Sequence, residues 1–269
     1  MTRSARVLCS ALLAFLACRP ILAQADHTLF IDPDAENLFR YARMAVGGGM
    51  VSKVKSLILK GRSRIVNNDG ALVGAAVEIK MLLPDYYLRV DTIGSTQKVA
   101  GFANKTVLSA IRQNGNVEYP PAQLEKPILR NERLRADRFL LGALTYAGAD
   151  RSLTITSIGR SGEMIDPRQS ARSAMKIDQS HVEPNVFAVM GDDLKARVEI
   201  DSGTRLPVRM RFPAADNGEV LLSFEDRRPV DGLQMPFRVT MTEHGQVIDE
   251  LLLDQILVNP ELGKGDFKR

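Results

Sequence analysis

The sequence predicts a mainly β (α+β) protein: a single curled antiparallel sheet with an N-terminal helix and a mid-chain helix covering an apolar cavity. Three observations predict it. Apolar and polar residues alternate with a period of two through most of the chain beyond residue 56. Turn signals recur about every 8–15 residues. Only two stretches carry helical spacing, so the strands lack the intervening helices that parallel βαβ units need. The composition agrees. Of 269 residues, 45% are hydrophobic and 25% charged, the balance of a globular chain rather than a disordered, collagen-like or multi-pass membrane one. Trp is absent and aromatics make up 6%, which leaves little on which to stack nucleic-acid bases.

Residues 1–25 read as a secretory signal peptide. Arg3 and Arg6 form its basic start, Val7 to Ala17 its apolar stretch, and Ala23-Gln24-Ala25 its small-x-small cleavage site. The apolar stretch is too short to span a bilayer, and no later run reaches about 18 apolar residues. Removing the peptide takes away Arg3, Arg6 and Arg19 and no acid. The net charge falls from +4 to +1, and with it any electrostatic argument for a nucleic-acid partner. Cys9 and Cys18, the two cysteines of the chain, both leave with it. The mature chain, residues 26–269, is expected to be one exported domain that needs no disulfide in an oxidising compartment, the periplasm of a Gram-negative bacterium. A second reading treats Phe15-Leu16-Ala17-Cys18 as a lipoprotein box with Cys18 lipidated at the outer membrane; Phe15, Leu16 and Arg19 fit that pattern poorly.

The mature chain opens on a helix. Asp32 is its N-cap, Pro33 its first residue, and Asp34 and Glu36 sit where the helix dipole favours acids. Leu38, Tyr41, Ala42 and Ala45 share one face, and Gly47-Gly48-Gly49 ends it. Strands follow. Leu57, Leu59 and Ile65 alternate with Ile58, Lys60, Arg62 and Arg64 up to Asn67-Asn68-Asp69-Gly70, a hairpin turn. Val77, Ile79, Met81 and Leu83 alternate with Ala76, Glu78 and Lys80 until Pro84-Asp85. Leu88 and Val90 continue to Gly94-Ser95, and runs at 97–103 and 106–111 end at Asn114-Gly115. Between Pro121 and Ala149, Ile128, Leu134, Phe139, Leu141 and Leu144 predict the second helix. Its Arg130, Arg133, Arg135 and Arg138, with Glu132 and Asp137, form either a solvated, partly paired face or a gate that touches an anionic headgroup. Strands resume at 153–158, 186–190, 195–200, 207–212, 220–224, 235–242 and 247–258, about eleven in all. The stretch 159–180 reads as loop with an edge strand.

Motifs for catalysis are missing. His27, His181 and His244 are scattered, with no H-E-x-x-H or Cys/His cluster for a metal. There is no G-x-S-x-G elbow and no nucleotide-binding glycine motif. Gly47-Gly48-Gly49 follows a helix and so ends it rather than cradling a phosphate. Asp166, Asp192-Asp193 and Asp201 lie beside Gly or Pro as turn formers. A hydrolase with a dispersed acidic site stays open, although a sugar-processing one lacks Trp to stack on. No enzyme activity, cofactor or metal is expected.

The apolar rows are more informative. Val77, Ile79 and Met81 form one row, Val208, Met210 and Phe212 another, and Phe237, Val239 and Met241 a third. Two helices cannot cover so many rows on a flat sheet, so the sheet must curl. A curled sheet closed by a helix encloses an apolar cavity suited to a hydrophobic ligand. Expected lining residues are these nine together with Leu88 and Val90, their inward facing unsettled because register is not visible. The alternative is that the rows are ordinary core.

Several segments resemble a known family. Ala196-Arg197-Val198-Glu199-Ile200-Asp201-Ser202-Gly203-Thr204-Arg205-Leu206-Pro207-Val208-Arg209-Met210 is similar to the strand, Asp turn, Leu-Pro and strand of the LolA/LolB outer-membrane lipoprotein-carrier superfamily. Phe224-Glu225-Asp226-Arg227-Arg228-Pro229-Val230-Asp231-Gly232-Leu233-Gln234-Met235-Pro236 resembles the next hairpin, and Ile256-Leu257-Val258-Asn259-Pro260 with Phe267 the last strand and tail. Lys53-Val54-Lys55-Ser56-Leu57 and Leu83-Pro84-Asp85-Tyr86-Tyr87 fit the opening. The resemblance implies an unclosed β-barrel whose helices plug a hydrophobic cavity. In the carriers that cavity takes lipoprotein acyl chains. It implies a periplasmic, non-enzymatic carrier of acyl chains or another lipid, with an envelope scaffold or assembly factor that has a filled core and a protein partner as the other reading.

Overall fold

The computed structural model describes residues 28–66, 70–146, 153–159, 182–191, 193–214 and 218–268. The signal segment with Cys9 and Cys18, the turn at 67–69 and the stretch 160–181 lie outside the described residues, as do His27 and His181.

One sheet carries every described strand. In chain order these are β1 (Thr28–Phe30), β2 (Ser56–Val66), β3 (Leu72–Leu82), β4 (Tyr86–Ile93), β5 (Thr96–Ala103), β6 (Thr106–Val107), β7 (Ala110–Gln113), β8 (Asn116–Glu118), β9 (Leu153–Gly159), β10 (Val182–Met190), β11 (Lys195–Ile200), β12 (Pro207–Pro213), β13 (Glu219–Val230), β14 (Leu233–Glu243) and β15 (Gln246–Val258). Their order across the sheet is β1-β9-β10-β11-β12-β13-β14-β15-β2-β3-β4-β5-β7-β8, with β6 attached to β5. Neighbours are antiparallel except β1 and β9, which are parallel. The sheet is curled and unclosed, as the alternation predicts. The described residues form fifteen strands rather than about eleven: β1 and β8 have three residues each, too few for a period to register, and the run at 106–111 divides into β6 and β7.

Bulges help the sheet curl. Register shifts interrupt β11–β12, β14–β15 and β15–β2, and each extra residue bends its strand and increases the local twist. The last shift falls beside Gly61, where a Cβ would sit 2.2 Å from the Leu252 carbonyl oxygen.

Two α-helices cover the concave face. Helix α1 (Pro33–Val46) begins as expected: Asp32 Oδ1 accepts from the Ala35 amide at 2.8 Å. The same carboxylate accepts from the Ser157 amide at 2.7 Å through Oδ2, so the cap also ties the helix to β9. The buried stripe is Ala35, Phe39, Ala42 and Val46. This corrects the expected face by part of a turn, for Tyr41 is exposed. Gly47 ends the helix against the β13–β14 hairpin, where a Cβ would meet the Leu233 side chain at 2.6 Å. The chain then continues as a 3-10 turn (Gly48–Lys53) instead of stopping at the glycines.

Helix α2 (Glu125–Leu144) packs against β4, β5, β12 and β14. At Gly142 a Cβ would overlap the Phe224 ring at 2.0 Å, so only glycine admits this approach. Arg227 reaches from β13 to the helix end and donates to the carbonyls of Gly142 (2.8 Å) and Ala143 (3.0 Å), and also to Pro207 (2.8 Å) and Gln234 (2.6 Å). A cation there complements the negative end of the helix. Burial pulls its pKa down to about 10.

The main core lies between the concave face and the two helices. A small second cluster sits on the convex face, where Phe267 and Leu262 of the C-terminal tail cover Leu88, Val90, Val99, Leu108 and Ala110. Tyr86 meets the Phe267 ring at 5.3 Å between centroids.

Candidate functional site

A cavity of about 370 Å³ lies under α2, between the helix and the concave walls of β3–β4 and β12–β15. That size falls in the range of small-molecule pockets, about 300–1,000 Å³. Its walls divide by polarity. Ile79, Met81, Phe212, Val220, Leu222, Val239, Met241 and Leu251 make the apolar side, with Leu134 and Phe139 from the helix above. Tyr87, Arg89 and Asp249 line the side formed by β4 and β15, while Asn131, Arg135 and Arg138 come from α2 and Glu243 from the end of β14.

The expected lining residues fall into groups. Ile79, Met81, Phe212, Val239 and Met241 line the cavity. Val77, Met210 and Phe237 are buried in the same inner core without lining it. Val208 does neither. The pairing runs Glu199↔Arg209 and then Ile200↔Pro207, so Val208 is the extra residue of the β11–β12 bulge and falls out of its row.

Leu88 and Val90 require a correction of facing. They lie on the convex side beneath the tail. Strand β4 turns its apolar residues outward and Tyr87, Arg89 and Asp91 inward, opposite Met81, Ile79 and Val77. The usual assignment of apolar residues to the main core fails because this strand is covered on both sides. The signal was present in the hairpin. Register counted through Leu83-Pro84-Asp85 places Arg89 beside Ile79 whatever its polarity.

The inward charges of β4 form a closed set. Arg89 Nε donates to Asp91 Oδ2 at 2.7 Å, and its two terminal nitrogens reach Asp249, at 3.0 Å for Nη2–Oδ1. Ser63 donates to Asp91. Arg89 is only 2% exposed. Burial opposes its charge, yet Asp249 and Asp91 outweigh burial and hold its pKa well above the ordinary value. Burial pushes the Tyr87 phenol far above its usual range, so it stays protonated. Arg135 pairs with Glu132 at 3.3 Å; burial again opposes the charge and Glu132 overcomes it, so its pKa is raised.

The other arginines of α2 take separate roles. Arg130 pairs with exposed Asp193 at 2.7 Å. Arg133 donates to the Asn104 carbonyl at 2.6 Å and lies 5.1 Å over the Phe102 ring. Arg138 lies 3.6 Å over the Phe212 ring. Half of this helix face is therefore a solvated, paired surface, and half lines the cavity.

The lining contains no Ser, Thr, Cys, Lys or His; its ionisable groups are Tyr87, Arg89, Arg135, Arg138, Glu243 and Asp249. Among the described residues no cluster of His, Cys, Asp or Glu is arranged to hold a metal ion, and no helix is long and apolar enough to cross a membrane. Asp201 acts as a turn former, its Oδ1 accepting from the Thr204 amide at 2.7 Å and the Thr204 hydroxyl at 2.8 Å; these bonds lower its pKa.

The sequence matches no protein-family model and no curated protein. Solved structures do match. A LolA superfamily protein from Nitrosomonas europaea is 11% identical and superposes with a TM-score of 0.52, covering 88% of this chain and 99% of its own. A DUF1329 family protein from Desulfovibrio piger is 10% identical with a TM-score of 0.53, covering 87% of this chain and 97% of its own. At such identity the likeness concerns the fold: the chain folds as a LolA-like unclosed β-barrel with helices on its concave face.

Proposed function

We propose that residues 26–269 form one exported periplasmic domain that binds and carries an acyl chain or another lipid-like ligand without catalysing a reaction. The observation that carries this reading is the apolar cavity under α2 on the concave face of a LolA-like sheet. Each methylene buried there contributes about 0.8 kcal/mol before ordering costs. Ile79, Met81, Phe212, Val239 and Met241 line that cavity, and we assign them, with Leu222, Leu251 and Phe139, to contact with the ligand. The lining offers a broad apolar packing surface, which suits holding a hydrocarbon chain.

Native mass spectrometry of the protein purified from a Gram-negative periplasm tests this. The expected result is a co-purified lipid, displaced by a fluorescent fatty-acid probe that Leu222→Trp excludes. Lipid-free protein that binds no probe would leave the envelope scaffold with a protein partner as the better account.

A further inference from the structure

We propose that the ligand of this cavity is an anionic amphiphile, its carboxylate or phosphate head seated on the guanidinium of Arg138 beside Arg135 and its chain along the wall of Phe212, Leu222 and Val239. The proposal rests on the cavity being a lipid site and adds the charge of the ligand.

Of the three arginines in the lining, two are satisfied from within. Arg89 is closed by Asp91 and Asp249, and Arg135 by Glu132. Arg138 has no ion pair among the described residues, and its buried Nε has no hydrogen-bond partner. Its neighbour Asp137 exerts only a secondary pull, and burial draws its pKa down to about 10. Glu243 lines the same cavity and stands beyond ion-pair distance. A guanidinium with an unmet donor at an apolar hollow is poorly compensated, and an anion supplies the missing partner in the bidentate geometry that arginine favours. The guanidinium carbon of Arg138 lies 3.6 Å from the centre of the Phe212 ring, a cation–π contact that holds the guanidinium head against the apolar wall. The ring and the head therefore place the ligand's polar end at the boundary between the two kinds of wall.

The test measures binding of palmitate, hexadecyl lysophosphatidic acid and 1-hexadecanol at pH 8 to the whole mature protein and to Arg138→Gln and Arg138→Lys. The wild type is expected to prefer at least one of the anions over the alcohol by about tenfold or more. Whichever anion is preferred identifies the head as carboxylate or phosphate. Arg138→Gln should abolish the preference while leaving the alcohol's affinity within about twofold, and Arg138→Lys should keep part of it. Equal binding of all three to the wild type overturns the proposal and leaves the lipid site standing. So does an equal loss of anion and alcohol in Arg138→Gln, which would make the residue a packing element. Binding of none of the three overturns the lipid site and this proposal together.

Discussion

The two ends of the concave face are covered by helices of similar kind with opposite results. Under α1 an apolar stripe packs directly on the strands. Ala35, Phe39, Ala42 and Val46 are each at most 5% exposed, and the Phe39 ring lies 5.7 Å from those of both Phe30 and Phe187. Under α2 a hollow of about 370 Å³ remains. The difference lies in what each helix turns toward the sheet. The buried stripe of α1 alternates small and large apolar residues that interdigitate with the strands. The cavity face of α2 carries Asn131, Arg135 and Arg138, whose heads need partners rather than close packing. One fold thus combines a closely packed half and a hollow half, and the difference tracks a few residues of one helix.

That contrast can be broken experimentally, and the largest effect should come from charge. Arg89→Met leaves Asp91 and Asp249 buried without their cation and should lower stability by about 3–5 kcal/mol in urea unfolding. Adding Asp91→Asn and Asp249→Asn should recover most of it; no recovery would mean that Arg89 acts mainly through packing. Volume comes next. Ala42→Phe at the closely packed end should cost about 1–3 kcal/mol by overpacking. Val239→Phe at the hollow end should cost less than about 1 kcal/mol, because it grows into empty space, and should weaken probe binding. Equal costs for these two variants would show that the hollow closes in solution. The smallest effect belongs to Arg138→Met, which should leave the stability of ligand-free protein within about 1 kcal/mol of wild type, since it removes an uncompensated charge together with its ring contact. A loss several times larger would make that arginine structural.

Much of the fold was legible in the sequence, because turns write themselves locally. Asn114-Gly115, Asp231-Gly232 and His244-Gly245 each take positive φ at both positions, as tight hairpin turns require. Asp32 caps α1 as its position next to Pro33 suggested. Strand β13 was read too short, as 220–224, because Arg227-Arg228-Pro229 looks like the end of a strand; it pairs with Pro236, Met235 and Gln234 all the same. The candidate site was legible in part. The inner rows of β3, β12 and β14 followed from alternation, and Val208 was lost to a bulge that alternation cannot show. Leu88 and Val90 of strand β4, named as lining with their facing unsettled, lie on the face away from the cavity. The charged row of that strand points inward because Asp249 of β15, 160 residues away, waits there for Arg89. A partnership over such a distance leaves no local pattern, and the same holds for the stacking of Arg138 on Phe212.

The place of β15 has a consequence for how this molecule comes into being. It is the last strand of the described residues, yet it lies between β14 and β2 and joins the two arms of the sheet. Asn259 just beyond it accepts from the Lys55 amide at 2.7 Å and donates to the Lys53 carbonyl at 3.1 Å, fastening the tail to the beginning of the first long strand. The seam cannot close until the roughly two hundred residues between β2 and β15 have been made, since its pairings span that distance and such non-local contacts form late. Until then each arm has an unzipped border open to unintended strand partners. A truncation that removes β15 should therefore yield an aggregating chain rather than a smaller folded domain.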